Sequence, residues 1–131
     1  MRPSLALLLA LASATPAVAR AQWKEIGKTA SNNPVYVDPK SIKSKDGIIT
    51  ARVQVKFTEP VKAASGVWRL SRHIAMFDCA RKTVAAKSTT YYSDVAGTKP
   101  VESKTIAMPG YGPAIGGSMT QIALDYVCKG K

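Results

Sequence analysis

The chain has 131 residues, with 19 lysines and arginines against 8 aspartates and glutamates, a formal charge of +11. That length allows one domain with one core and excludes two. Two cysteines and one histidine are too few for a structural zinc site, and no metal or other cofactor is expected.

In chain order, Met1-Arg2 is a positive start, residues 5–12 are apolar, and Ala19-Arg20-Ala21 supplies a small-x-small cleavage pattern. Residues 1–21 therefore read as a signal peptide cut after Ala21, with a cut after Ala19 as the alternative. Residues 22–131 form the mature domain; the loss of Arg2 and Arg20 leaves its charge at +9. The leader is too short to span a membrane, and no later segment is long enough. With no cysteine near the cut, no cysteine-linked lipid anchor is expected. The protein is read as exported, periplasmic or secreted. Export and the scatter of basic residues argue against nucleic acid. The remaining partners are anionic: lipopolysaccharide, cell-wall polymers, sulfated glycans or acidic protein patches.

Trp23-Lys24-Glu25-Ile26 reads as a short strand ended by Gly27, and residues 28–33 as a polar turn. Val35-Tyr36-Val37-Asp38 is a second strand, stopped by Pro39, which has no N–H for a ladder. Ser41-Ile42 reads as a helical turn or connector. Residues 43–47 form a charged turn, whose Asp46-Gly47 is a hairpin signal. Ile49, Ala51, Val53, Val55 and Phe57 then alternate with Thr50, Arg52, Gln54 and Lys56. That period of two predicts a strand with one apolar and one solvated face, ended at Glu59-Pro60. Residues 61–66 read as a small-residue loop.

Residues 68–80 predict a long strand in two halves. The first, to His73, alternates; the second, Ile74 to Ala80, is apolar on both faces, as if covered from the far side as well. Arg81-Lys82 turns the chain into a threonine- and tyrosine-rich strand over residues 84–92. Residues 93–117 hold five glycines and three prolines and read as irregular, with an edge strand at 101–107. Ser118 reads as an N-cap, followed by Met119, Ile122, Ala123, Tyr126 and Val127 at helical spacing. Cys79 and Cys128 are 49 positions apart, too far for a redox motif, and in an oxidising compartment they are expected to pair. Such a bond would staple the terminal helix across the central strand. The fold class is α+β: an antiparallel sheet of about five to six strands with a C-terminal helix tethered across it.

Candidate chemistry is sparse. His73 is read as a polar residue on a solvated face, without a nucleophile or an orienting partner. Asp38, Asp78, Asp94 and Asp125 are isolated, and Asp78 is read as pairing with a basic residue across the sheet. The glycines from Gly110 to Gly117 lack a P-loop lysine and dinucleotide spacing, and read as turn residues. No catalytic residue is assigned and no enzyme is expected. Trp68, Arg69, Arg72, Arg81, Lys82, Lys87, Tyr91 and Tyr92 gather in the predicted hairpin. Aromatic and arginine residues of this kind make binding surfaces, so these eight form the candidate ligand surface, with the Gly/Pro-rich loop of residues 93–117 as the other docking element.

Trp23 with Ile26-Gly27, Val35-Tyr36-Val37-Asp38 with Ser41-Ile42, Asp78-Cys79, Tyr92-Ser93 and a helix closing on Val127-Cys128 follow one another along the whole mature chain. In this order the chain resembles the surface-adhesin protein E family of proteobacteria. The resemblance implies an antiparallel sheet with a disulfide-tethered terminal helix, carried here onto Cys79 and Cys128. It also implies a non-enzymatic binding module for extracellular-matrix or other proteins, and allows a homodimer. The alternative is a periplasmic, envelope-associated structural protein with no host ligand.

Overall fold

Alternation along one strand sets the architecture. In this computed structural model, which describes residues 21–130, Ile49, Ala51, Val53 and Val55 are all at most 5% exposed, while Arg52 between them is open to solvent. The expected signal peptide lies almost wholly outside the described residues. Strand β1 is Lys24–Lys28, β2 Pro34–Val37, β3 Lys43–Lys45, β4 Ile48–Ala63, β5 Gly66–Asp78, β6 Thr83–Tyr92, β7 Pro100–Thr105 and β8 Gly112–Pro113; helix α1 is Met119–Val127. All pairings are antiparallel, in the order β1-β2-β4-β5-β6-β7, with β3 on β4 and β8 on β6.

The sheet thus has eight strands, not five to six. The two additions come from segments read as turn and loop. Lys43–Lys45 folds back onto Ile48–Thr50 across Asp46 and Gly47, whose φ values of 53° and 79° are those of a tight two-residue hairpin. Gly112–Pro113 adds a short pairing to Thr83 and Val84. A further correction concerns β4, which continues through Pro60 to Ala63 and pairs there with the start of β5. A bulge between Lys56 and Val61 makes this possible, because a proline at a bulge has no ladder hydrogen bond to lose.

The core lies on one face of the sheet. Val35 and Val37 of β2, the four β4 residues above, Ala75 and Phe77 of β5 and Val84 of β6 form one buried cluster with Ala123, Leu124 and Val127 of the helix. Burial of each larger side chain is worth about 1.5–3 kcal/mol. Ser118 caps the helix by accepting from the Gln121 N–H at 3.4 Å. Gly27 lets the helix approach β1 closely: a Cβ there would stand 3.0 Å from Ile122 Cγ2. The Cys79–Cys128 disulfide is formed, with Cα atoms 5.4 Å apart, and tethers the helix end to the end of β5. The helix covers only the Phe77 side, however. Ile74 and Met76 pair with Arg52 and Thr50 on the opposite face and remain half-buried, so the double-sided apolar pattern does not reflect two covering layers.

Candidate functional site

Away from the helix, cross-strand registry lines up a second set of side chains. Gln54 of β4 stands opposite Tyr36 of β2 and Arg72 of β5, and Arg72 stands opposite Thr90 of β6, which faces Ser103 of β7. In neighbouring rows lie Arg52, Ile74 and Ser88, and Lys56, Leu70 and Tyr92. Because strand side chains alternate, all of these share the open face.

Cations and aromatic rings interleave across it. Arg52 Cζ is 5.6 Å and Arg72 Cζ 5.5 Å from the centre of the Trp23 ring, and Arg72 is 5.1 Å from that of Tyr92. Lys56 Nζ stands 5.1 Å from the centre of the Tyr36 ring. Such contacts are worth about 0.5–1 kcal/mol each when exposed, and here they also form a cover: beneath it Leu70 is 0% and Gln54 3% exposed. Arg72 is held further by Nε donating to Gln54 Oε1 at 2.9 Å and by its terminal nitrogens donating to Gly97 O and Ala96 O, both at 3.4 Å. Every one of these acceptors is neutral.

The carboxylates lie elsewhere. Among the described residues a single ion pair is present, Arg81 with Asp78 at 4.0 Å; it sits within the β5–β6 turn rather than across the sheet as expected. Asp94 lies in the loop that covers Arg72, but its carboxylate accepts from Thr98 Oγ1 and the N–H groups of Thr98 and Lys99. The Thr98 hydroxyl, with the two backbone donors, holds its carboxyl down to about 2.

The eight expected surface residues are thus distributed over several places. Arg72 and Tyr92 meet on the open face. Trp68 and Tyr91 stack on each other with ring centres 3.6 Å apart, and the indole N–H donates to Ser65 Oγ at 3.0 Å. Burial, with the Glu102 charge, raises the Tyr91 hydroxyl above its usual range. Arg69 and Lys87 are exposed on β5 and β6, and Arg81 and Lys82 lie in the turn between them. Trp23, Tyr36, Arg52 and Lys56 were not among the expected residues. The parity of Arg52 and Lys56 along β4 was a usable signal, but the reach of Trp23 across the sheet was not.

His73 is not on the solvated face. It stands opposite Val53, on the core side, in a groove of about 400 Å³ between the sheet and the start of α1. Its Nε2 is 2.8 Å from Ser71 Oγ and its Nδ1 3.1 Å from Thr89 Oγ1. Burial lowers its pKa from 6.5 to about 4. A hydroxyl beside an imidazole has the outline of a nucleophile and base. Here, however, the imidazole is a weak base, its second partner is a neutral hydroxyl, and Ser71 is 1% exposed. The trio satisfies buried polar atoms and lacks the activation that acyl transfer requires.

Residues 23–129 match the model of a protein family described as surface-adhesin protein E. No curated protein sequence matches the chain. Among solved structures, crystal form II of Haemophilus influenzae protein E is similar, with a TM-score of 0.59, 15% identity, and coverage of 87% of this chain and 92% of that one. Protein E from non-typeable Haemophilus influenzae gives a TM-score of 0.56 at 16% identity, over 87% and 80% of the two chains. At such identities the structural likeness is one of fold.

Proposed function

The chain belongs to the surface-adhesin protein E family, and on that premise we propose that it is an exported binding module that docks an acidic partner through its open sheet face. One observation carries this reading: Arg52, Arg72 and Lys56 share a face with Trp23, Tyr36 and Tyr92, and none of the three cations is paired with a carboxylate among the described residues. Arginine beside aromatic rings is the composition of binding hot spots, and unneutralised charge steers an oppositely charged partner. The partner is an extracellular-matrix or other acidic protein, or an anionic polymer. Family membership supports docking rather than a reaction. No described helix is long and apolar enough to cross a membrane.

The test is binding of the purified mature chain to immobilised extracellular-matrix proteins and to anionic polysaccharides over a range of salt. Docking through exposed charge weakens as the screening length falls from about 10 Å at 0.1 M to about 3 Å at 1 M. The double substitution Arg52→Gln and Lys56→Gln should weaken it in the same way without altering the fold. Binding that ignores both salt and the double substitution would refute the reading.

A further inference from the structure

Within the open face, a cleft of about 330 Å³ lies among Arg52, Arg72, Ser88, Thr90 and Tyr92. We propose that this cleft is a subsite for a sulfate ester on a glycan, a proposal that rests on the docking reading above and gives it a ligand class. The donors come from arginines with unused capacity. Arg72 commits part of its fork to Gln54, Ala96 and Gly97, and the Arg52 side chain makes no hydrogen bond among the described residues, so both retain free N–H groups. Ser88 and Thr90 line the same cleft; the Ser88 hydroxyl can donate to an oxygen that lies between the two guanidinium groups, while Thr90 Oγ1 shares a hydrogen bond with Ser103 Oγ at 2.9 Å.

Charge narrows the occupant to an anion. No carboxylate lines the cleft, and that of Asp94, in the neighbouring loop, is turned to Thr98 and Lys99. Arg72 is half-buried with neutral acceptors only. A bound anion supplies the counter-charge that the fold omits. The type of cation narrows it again: a guanidinium is delocalised and weakly hydrated compared with an ammonium, and a sulfate monoester is the delocalised, weakly hydrated match. The volume lies at the small end of ligand pockets, suited to one sulfated sugar whose ring lies on Ile74 and Tyr92. Lys56 follows Arg52 by four residues on the same face, roughly 14 Å along the strand, where a later anionic unit of the same chain can reach it.

The experiment is calorimetric titration of the full mature chain with a heparin octasaccharide, its desulfated counterpart, a hyaluronan octasaccharide carrying carboxylates alone, and a polyphosphate of matched charge. The sulfated octasaccharide should bind, and the two sulfate-free sugars at least about tenfold more weakly, as expected where charge-assisted bonds are lost. Arg52→Gln should cost about tenfold and Arg52→Lys most of that, since the ammonium keeps the charge but loses the fork. Lys56→Gln should cost much less. Equal binding of desulfated sugar, hyaluronan or polyphosphate, or an Arg52→Lys protein that binds like the parent, would overturn the subsite. If the sulfated sugar fails while an acidic protein still binds in a salt-dependent way, the subsite falls and the docking reading stands. If nothing anionic binds, both fall.

Discussion

Gly97 lies flat against the Arg72 guanidinium at φ +72°, and a Cβ at that position would collide with it. Gly97→Ala should therefore displace Arg72 from between Trp23 and Tyr92, and the left-handed backbone adds about 1–2 kcal/mol of destabilisation. A lowered unfolding midpoint together with changed Trp23 fluorescence is the expected result. His73 makes a separate prediction with a definite sign. Above pH 6.5 both folded and unfolded chains hold it neutral and it contributes no pH dependence. Between 6.5 and about 4 the unfolded chain takes up a proton that the folded chain refuses, so stability falls with pH by up to roughly 3 kcal/mol and then levels off. Denaturant titrations at neutral and mildly acidic pH should show a smaller drop for His73→Gln. Asp94, held near 2, contributes its full stabilisation above 3.8 and loses it as pH falls from there to about 2, below the window of His73. The sequence placed His73 on the wrong face because Ser71 and Arg69, which share its parity, are polar. Nothing in the local pattern reveals that two hydroxyls on the core side will satisfy an imidazole.

Among the elements, β4 and α1 were readable because their periods are regular: the alternation from Ile49 to Val55 and the stripe from Met119 to Val127 are each set by one buried face. The bulge that carries β4 past Pro60 was not readable, since proline is an ordinary strand terminator unless a partner strand tolerates a gap. The short strands β3 and β8 owe their existence to neighbours rather than to their own residues. The disulfide gives the clearest test at this scale. It closes a segment of 49 positions, and its removal by Cys79→Ser with Cys128→Ser should cost about 4 kcal/mol in the chain-entropy account. Hydrogen exchange should locate the loss first in α1, whose nine residues are too few to hold a helix alone. An unchanged midpoint would mean that core packing alone retains the helix. Ser118→Ala should cost about 1 kcal/mol through the lost cap, also measurable as a shift in midpoint.

For the whole molecule, the excess of basic over acidic residues meets only one ion pair among those described, so self-repulsion opposes the compact state. Raising salt from about 0.01 M to about 0.1 M, which shortens the screening length from about 30 to about 10 Å, should raise the unfolding midpoint. A midpoint that falls would show that attraction outweighs repulsion. The same lysines guard the sheet: its outer strands carry Lys24 and Lys28 on β1, and Pro100 and Lys104 on β7, which discourages edge-to-edge pairing. The covalent link between Cys79 and Cys128 has a mechanical consequence as well. If the molecule is pulled by its two ends, tension passes through the sulfurs and bypasses everything between them, so β6, β7, β8 and α1 cannot be drawn out. Only the segments outside the two cysteines can extend under load. In single-molecule stretching, reduction of the bond should release roughly 170 Å of additional contour length. A module gripping a ligand in flowing liquid would thus yield from its amino-terminal strands while its carboxyl-terminal half stays locked.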